Sequence, residues 1–186
     1  MERLFSIIKI LSYLEKNCVI RYYFIEKWSE DLWKIFSKKF SDTKIYYQIF
    51  DPYKTPSQRI LMYSLARALR SFEMKQNISR NINIEILLII SGSRDINKAV
   101  QNLGPRVGDP AMLTIINCEK TFLHPDLEFK EIKPVDIGLE RLLENLENLS
   151  KTLKISNVLC NEKKDLGERI LCIEKNIINK ISLLRD

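Results

Sequence analysis

The 186-residue sequence contains little glycine, proline, histidine or cysteine, and each shortage excludes a class of protein. Five glycines and six prolines leave little room for long flexible linkers, so we expect one domain over residues 1–186. No apolar run reaches the about 20 residues that a membrane helix needs. The apolar start of the chain is interrupted by Lys9 and lacks a signal-peptide cleavage site. We therefore expect a cytoplasmic protein without membrane contact that is a monomer in isolation.

Side chains that bind metals or perform catalysis are also scarce. The only histidine is His124, which falls in a predicted loop, and the cysteines form no C-x-x-C pair. The sequence lacks the closely spaced ligands of a zinc site. It also lacks a Ser/His/Asp set with a G-x-S-x-G elbow. We predict no catalytic residue, no metal and no cofactor. We interpret the four scattered cysteines as reduced thiols: Cys18, Cys118, Cys160 and Cys172.

Positive charge is concentrated in residues 56–106. This stretch holds eight basic residues against three acidic ones, a net charge of +5 in a chain whose total is +6. It also holds six of the chain's 11 arginines, whose guanidinium groups bind phosphate oxygens bidentately and stack on bases. A solvated charged helix face is the plainer alternative. The concentration of arginine favours a surface that binds a nucleic acid or an acidic partner.

Hydrophobic periodicity predicts an α/β (α+β) fold, in which helices cover one central mixed sheet. Runs of β-branched, aromatic or continuously apolar residues predict strands at residues 18–26, 44–50, 85–90 and 112–117. Helical spacing and capping residues predict helices at residues 1–17, 29–40, 56–74 and 95–103. Two C-terminal helices follow, one with a stripe of leucines between residues 139 and 153 and one with an isoleucine-rich stripe between residues 166 and 184.

The predicted helix at residues 56–74 carries an unusual basic ridge. Its leucines fall on one side at about 100° per residue. The opposite side carries four residues within an arc of about 80°: Arg59, Tyr63, Arg67 and Arg70. No acidic residue precedes Glu73 on this helix. Guanidinium groups and a phenol ring on one ridge are typical of a surface that holds phosphates and stacks a base.

A second basic position is the turn Ser-Gly-Ser-Arg-Asp at residues 91–95. A strand before this turn and a helix after it would present backbone N–H groups to an anion beside Arg94. In the alternative interpretation, Gly92 only permits the turn, and Ser93 or Asp95 caps the following helix. The turn lacks the motifs of a P-loop and of a dinucleotide-binding fold.

The order of these segments resembles a known family, the KEOPS complex subunit of the TPRKB family, which binds the kinase-like ATPase of that complex. The strongest similarity is the run E-I-L-L-I-I-S-G-S-R-D-I-N-K-A at residues 85–99, where the family carries S-G-x-R-Q-I. About half of the chain matches well, whereas residues 1–17 and 122–164 match poorly. Two positions depart from the family: Arg59 replaces a frequent histidine, and Asp95 replaces the usual glutamine of the turn.

The resemblance implies a non-catalytic subunit that contacts the small lobe of the ATPase and, indirectly, the threonylcarbamoyl-transferring subunit. It also implies that this subunit recruits tRNA through the single-stranded 3′-CCA end for N6-threonylcarbamoyladenosine modification. We assign tRNA binding to basic and polar residues of the +5 stretch: Arg59, Tyr63, Arg67, Arg70, Arg80, Ser93, Arg94 and Lys98. We expect the five arginines among them to line one continuous surface.

Apolar residues beyond the main stripe of the last helix, such as Leu171, Cys172 and Ile178, suggest that this helix docks the ATPase. The partner-binding residues predicted on it are Ile170, Ile173, Ile177, Ile181 and Leu184. Two other functions stay open from the sequence: a protein-interaction adaptor without RNA binding, and an enzyme that acts on a phosphorylated small molecule at the turn.

Overall fold

The computed structural model describes residues 2–41, 43, 45–118 and 132–183. The helices are α1 (Glu2–Asn17), α2 (Glu30–Lys39), α3 (Gln58–Glu73), α4 (Ile82–Ser91), α5 (Ile96–Leu103), α6 (Leu139–Thr152), α7 (Val158–Asn161) and α8 (Leu166–Leu183). The strands are β1 (Val19–Ile25), β2 (Ile45–Phe50), β3 (Ala111–Asn117) and β4 (Ile132–Val135). His124 and Leu184 lie outside the described residues. In the described part of the chain, no helix is long and apolar enough to cross a membrane.

The strands form one sheet in the order β2-β3-β1-β4. Every pairing among these strands is antiparallel. The predicted α+β class is therefore confirmed, but the expectation of a mixed sheet is wrong. That expectation counted residues 85–90 as a central strand, and these residues are helical.

Strand alternation gives the sheet two buried faces. On one face, Tyr22 of β1 and Ile116 of β3 pack under a large cluster formed with α1, α3, α4, α6 and α8. On the other face, Tyr23 and Ile25 of β1 pack with the aromatic residues of α2, of which Phe36 is fully buried. The larger cluster contains the N-terminus of α3 and the middle of α8, and it therefore positions the candidate site described below.

Residues 85–90 form the middle of helix α4, which corrects the predicted strand. A short apolar run does not distinguish a buried strand from a buried helix, and here the capping residues decide. The side chain of Asn81 accepts a hydrogen bond from the N–H of Asn83, and Gly92 ends the helix with φ 63°. The N–H groups of Gly92 and Ser93 donate to the carbonyls of Ile89 and Leu88. This is the geometry of a Schellman C-cap.

The four cysteines are paired, which corrects the interpretation as reduced thiols. One disulfide joins Cys18 to Cys118 and the other joins Cys160 to Cys172. The first pair extends the β1–β3 ladder by one rung, because Val19 lies opposite Asn117. Sequence spacing could not reveal it, since the two cysteines are 100 positions apart and only the strand pairing brings them together.

The isoleucine stripe of α8 belongs to the core. Ile170, Ile173, Ile177 and Ile181 are all buried in the larger cluster. In the packed helix these side chains face the core of the chain, and the partner-binding role predicted for them stays a prediction. Apolar residues at helical spacing usually form the stripe of a helix that faces the core, and the isoleucines of α8 do so here.

Candidate nucleic-acid and partner interface

The predicted ridge on α3 faces helix α8 over part of its length. Ser57 begins α3 by accepting a hydrogen bond from the N–H of Ile60. Further along, the guanidinium of Arg67 donates to the carbonyls of Ile181 (3.4 Å) and Ser182 (2.9 Å) near the C-terminus of α8. Such carbonyls have no intrahelical partner and carry the negative end of the helix dipole. Arg67 therefore joins two helices, and its guanidinium is already engaged within the molecule.

The other ridge residues also have intramolecular neighbours. Tyr63 is half-buried, and its hydroxyl lies 3.5 Å from the guanidinium of Arg67. Arg70 forms a 2.7 Å ion pair with Glu73. Arg59 lies 3.7 Å from the carboxylate of Glu174 on α8. The ridge exists, but α8 covers part of the arc that the helical projection placed in solvent.

The turn at residues 91–95 satisfies its own backbone groups. Asp95 accepts hydrogen bonds from the N–H groups of Asn97 and Lys98 and thereby caps α5. The Ser93 hydroxyl accepts from the N–H of Asp95, and the Ser93 N–H donates to the hydroxyl of Ser91. The alternative interpretation, in which Asp95 caps the helix, describes this geometry. The N–H groups of Gly92, Ser93 and Asp95 are therefore occupied, and a helix, not a strand, precedes the turn.

Three of the exposed predicted cations stand at the two ends of α4. Arg80 precedes the N-cap of this helix, and Arg94 and Lys98 follow its C-terminus. The ten residues of α4 make a rod about 15 Å long, so Arg80 and Arg94 are well separated. The phosphates of a single strand could bridge this separation. The single continuous arginine surface stays a prediction.

A cleft of about 770 Å³ opens at the N-terminus of α3. Its lining includes Arg21 and Tyr22 of β1, Arg59 of α3, and Glu174 of α8. The Tyr22 hydroxyl donates to the carbonyl of Pro56 at 3.1 Å. Burial raises the pKa of Tyr22 well above its usual range, and the nearby Glu174 carboxylate raises it further. The phenol is therefore a neutral donor over the physiological pH range.

Sequence reasoning missed Glu174 and Tyr22 as components of this cleft. A signal was present, because Glu174 interrupts the apolar side of α8 next to Ile173 and four positions after Ile170. An acidic residue is seldom buried without a partner. Finding that partner, Arg59, required the packing of α8 against α3.

An exposed apolar surface lies where α7 meets α8, held together by the Cys160–Cys172 disulfide. We call it the α7–α8 patch and define it by Val158, Leu159 and Leu171, which are exposed to 64%, 75% and 46%. A separate apolar groove is formed by α2, β2, α4 and α5 and is lined by Trp33, Val100 and Val107, among others. Among the described residues, no three His, Cys, Asp or Glu side chains are grouped to hold a metal ion.

Exposed cations and an exposed apolar patch, on one small α+β domain, are features of a protein that binds partners. The chain belongs to the family of the kinase binding protein CGI-121, whose model matches residues 27–185. This match confirms the resemblance described above, and it runs through residues 122–164. No curated protein matches the chain.

Proposed function

We propose that this protein is the non-catalytic, tRNA-binding subunit of a KEOPS complex. It binds the kinase-like ATPase subunit, acts in N6-threonylcarbamoyladenosine modification of tRNA and recruits tRNA through the 3′-CCA end. The observation that carries the proposal is membership of a family described as kinase binding, over residues 27–185. The exposed arginines at the ends of α4 support the tRNA-binding part.

The proposed tRNA contact uses the cations that the fold leaves exposed. Arg80, Arg94 and Lys98 are exposed, and a single strand that passes along α4 would bring phosphates to each of them. Arg67 is less suited to this role, since α8 occupies its guanidinium. Because the contacts are mainly to phosphates, affinity should fall with salt by about −0.7 in log–log slope for each phosphate neutralised.

The substitution Arg94→Ala should weaken tRNA binding and lower the salt slope by about 0.7, one contact's share. Filter binding over a salt series measures both quantities. Lys163→Ala is the matched control, because Lys163 is an exposed cation outside the +5 stretch. Removing CCA from the tRNA should weaken binding to the unmodified protein at equal ionic strength. Equal affinity for intact and stripped tRNA would leave only a non-specific cationic surface.

The α7–α8 patch is the proposed docking surface for the ATPase subunit. Substituting aspartate for Leu159 and Leu171 together should abolish capture of that subunit in a pull-down, since a docked interface would bury both charges. The fold should persist, because both side chains are exposed in the isolated chain. Val107→Asp is the control on the separate groove. Loss of capture with Val107→Asp and not with the double variant would move the interface to the groove.

The proposal places the protein in the cytoplasm with its tRNA, and indirectly in contact with the threonylcarbamoyl-transferring subunit. The two disulfides are unusual for this compartment, where thiols are normally kept reduced. Intracellular proteins of hyperthermophiles are the known exception. The cytoplasmic assignment therefore fits best with a chain from such a cell.

A further inference from the structure

Strand β2 is an edge of the sheet, and its open side is covered only at two places. It pairs with β3 on one side and has no strand on the other. On the open side, the N–H of Tyr47 donates to the side chain of Asn83 at 3.0 Å. Just beyond the strand, the N–H of Asp51 donates to the carbonyl of Leu103 at 2.8 Å. Helices α4 and α5 therefore cover the two ends of this edge and leave a gap between them.

The backbone of Ile49 lies in this gap. Residues of an antiparallel strand direct their N–H and carbonyl groups alternately toward and away from the paired neighbour. Because the N–H of Tyr47 points away from β3, both groups of Ile49 point the same way. Among the residues that the structure describes, none pairs with the N–H or the carbonyl of Ile49 on this side. Ile49 is only 4% exposed, and buried backbone groups are nearly always paired. The gap therefore lacks the partner that an added strand would supply.

The gap opens into the apolar groove formed by α2, β2, α4 and α5. The volume of this groove is about 380 Å³, within the about 300–1,000 Å³ of usual ligand sites. Trp28 and Trp33 line it on the α2 side of the sheet, and Leu87 of α4 lines it on the other side. Side chains of a strand alternate between two faces. A strand added at Ile49 would therefore place one side chain on the tryptophans and its neighbours on α4.

The size and the charge of the groove limit what can occupy it. Only Ile49 offers both backbone groups, so the available edge pairs with a segment of a few residues. A strand within a folded domain brings neighbouring strands and loops with it, and α4 and α5 flank the gap on both sides. The charged residues in the lining are Glu30 and Lys34, and the ammonium of Lys34 already lies 3.0 Å from Asp31. A short, uncharged and flexible segment therefore fits better than a phosphate chain or a second folded copy.

We propose that this groove binds an extended apolar peptide segment of another protein, which adds as a short strand to the open edge of β2 at Ile49. The N–H of Ile49 donates to a carbonyl of the peptide, and its carbonyl accepts from an N–H of the peptide. In this mode of recognition the backbone bonds supply affinity, and the pockets for alternate side chains supply specificity. The groove shares no helix or strand with the α7–α8 patch, so the inference does not rest on the proposed function.

The first experiment titrates the unmodified full chain with a blocked heptapeptide, Ser-Ala-Val-Leu-Val-Ala-Ser, and follows the backbone amide signals. We expect the amide of Ile49 to be among the most strongly shifted, together with those of Val100 and Gly104 in the groove. Hydrogen exchange of the Ile49 amide should slow on binding, because its N–H gains an acceptor. No binding of the peptide, shifts confined to residues outside the groove, or unchanged exchange at Ile49 would overturn the proposal.

A second peptide separates strand addition from apolar contact alone. It has the same sequence but carries a methyl group on the backbone nitrogen of each of the three central residues. This peptide keeps every side chain and cannot donate to the carbonyl of Ile49 from its centre. We expect about tenfold weaker binding, as for a buried acceptor that is left unpaired. Equal affinity for the two peptides would show a merely apolar contact and would contradict strand addition.

Variants of the chain complete the test. Val107→Asp and Val100→Asp each place a charge in the groove and should weaken peptide binding about tenfold. Both valines are exposed, so the fold should persist. Leu159→Asp on the α7–α8 patch is the matched control and should bind the peptide like the unmodified chain. Retained binding in both folded valine variants, or displacement of the peptide by tRNA, would overturn the proposal. Weaker peptide binding with unchanged capture of the ATPase subunit would support this inference separately from the proposed function.

Discussion

Replacing Glu85 by alanine is expected to lower the free energy of unfolding by about 3–5 kcal/mol, because each buried donor left without a partner costs about 1–3 kcal/mol. Glu85 is fully buried in the first turn of α4. Its carboxylate accepts hydrogen bonds from the N–H groups of Ile78 (3.0 Å) and Ser79 (2.9 Å) and from the hydroxyl of Ser71 (3.2 Å). These bonds hold the α3–α4 connection against both helices. Alanine would leave the backbone groups unpaired and a cavity beside them.

Urea unfolding followed by circular dichroism measures this loss. Glu85→Gln is the informative comparison, since its amide oxygen still accepts from both N–H groups and the expected loss is about 1 kcal/mol. Glu73→Ala is the exposed control: the Glu73 side chain is 63% exposed in its ion pair with Arg70, so the loss should stay below about 1 kcal/mol. A loss below 1 kcal/mol for Glu85→Ala would contradict the role of this carboxylate.

Local signals predicted most of the helices and strands. Ser57 starts α3, Asp95 caps α5 and Gly104 follows its end, as expected from residues that satisfy or stop a helix terminus. The β-branched and aromatic runs predicted as strands at residues 18–26 and 44–50 likewise form β1 and β2, which pack on both faces of the sheet. These features depend on residues a few positions apart, so a single sequence contains enough information to predict them.

The candidate site was less accessible from the sequence, because it depends on contacts between distant segments. The helical projection correctly placed Arg59 and Arg67 on one ridge of α3. It could not show that the C-terminus of α8, 114 positions later, would accept hydrogen bonds from Arg67. In the same way, α4 was predicted as a strand because its apolar residues surround the whole helix. A helix that is apolar all round is buried in the centre of a core. The sequence of this segment alone does not show which elements surround it.

Cations that cap a neighbouring helix, such as Arg67, and cations at exposed helix ends, such as Arg94, look alike in sequence. In the fold, the first contributes to stability and the second remains available to a phosphate. A substitution at Arg67 should therefore lower mainly the stability of the fold. A substitution at Arg94 should lower mainly the affinity for tRNA.

Removing the Cys18–Cys118 disulfide is expected to lower the free energy of unfolding by about 4–5 kcal/mol. A cross-link stabilises mainly by restricting the unfolded chain, and the effect grows with the length of the closed loop. This bond closes a loop of 100 positions, whereas Cys160–Cys172 closes one of 12. The shorter loop should contribute about 3 kcal/mol. The two disulfides therefore form an internal comparison within one protein.

The measurement is urea unfolding of two double variants, Cys18→Ser with Cys118→Ser and Cys160→Ser with Cys172→Ser, beside the unmodified chain. The first double variant should also show the larger increase in m-value, because its unfolded chain exposes more surface once the long loop is released. Reduction of the unmodified chain with a thiol should approach the sum of both losses, provided that the sites act independently. A larger loss from the short loop than from the long one would show that the long-range bond does not restrict the unfolded chain.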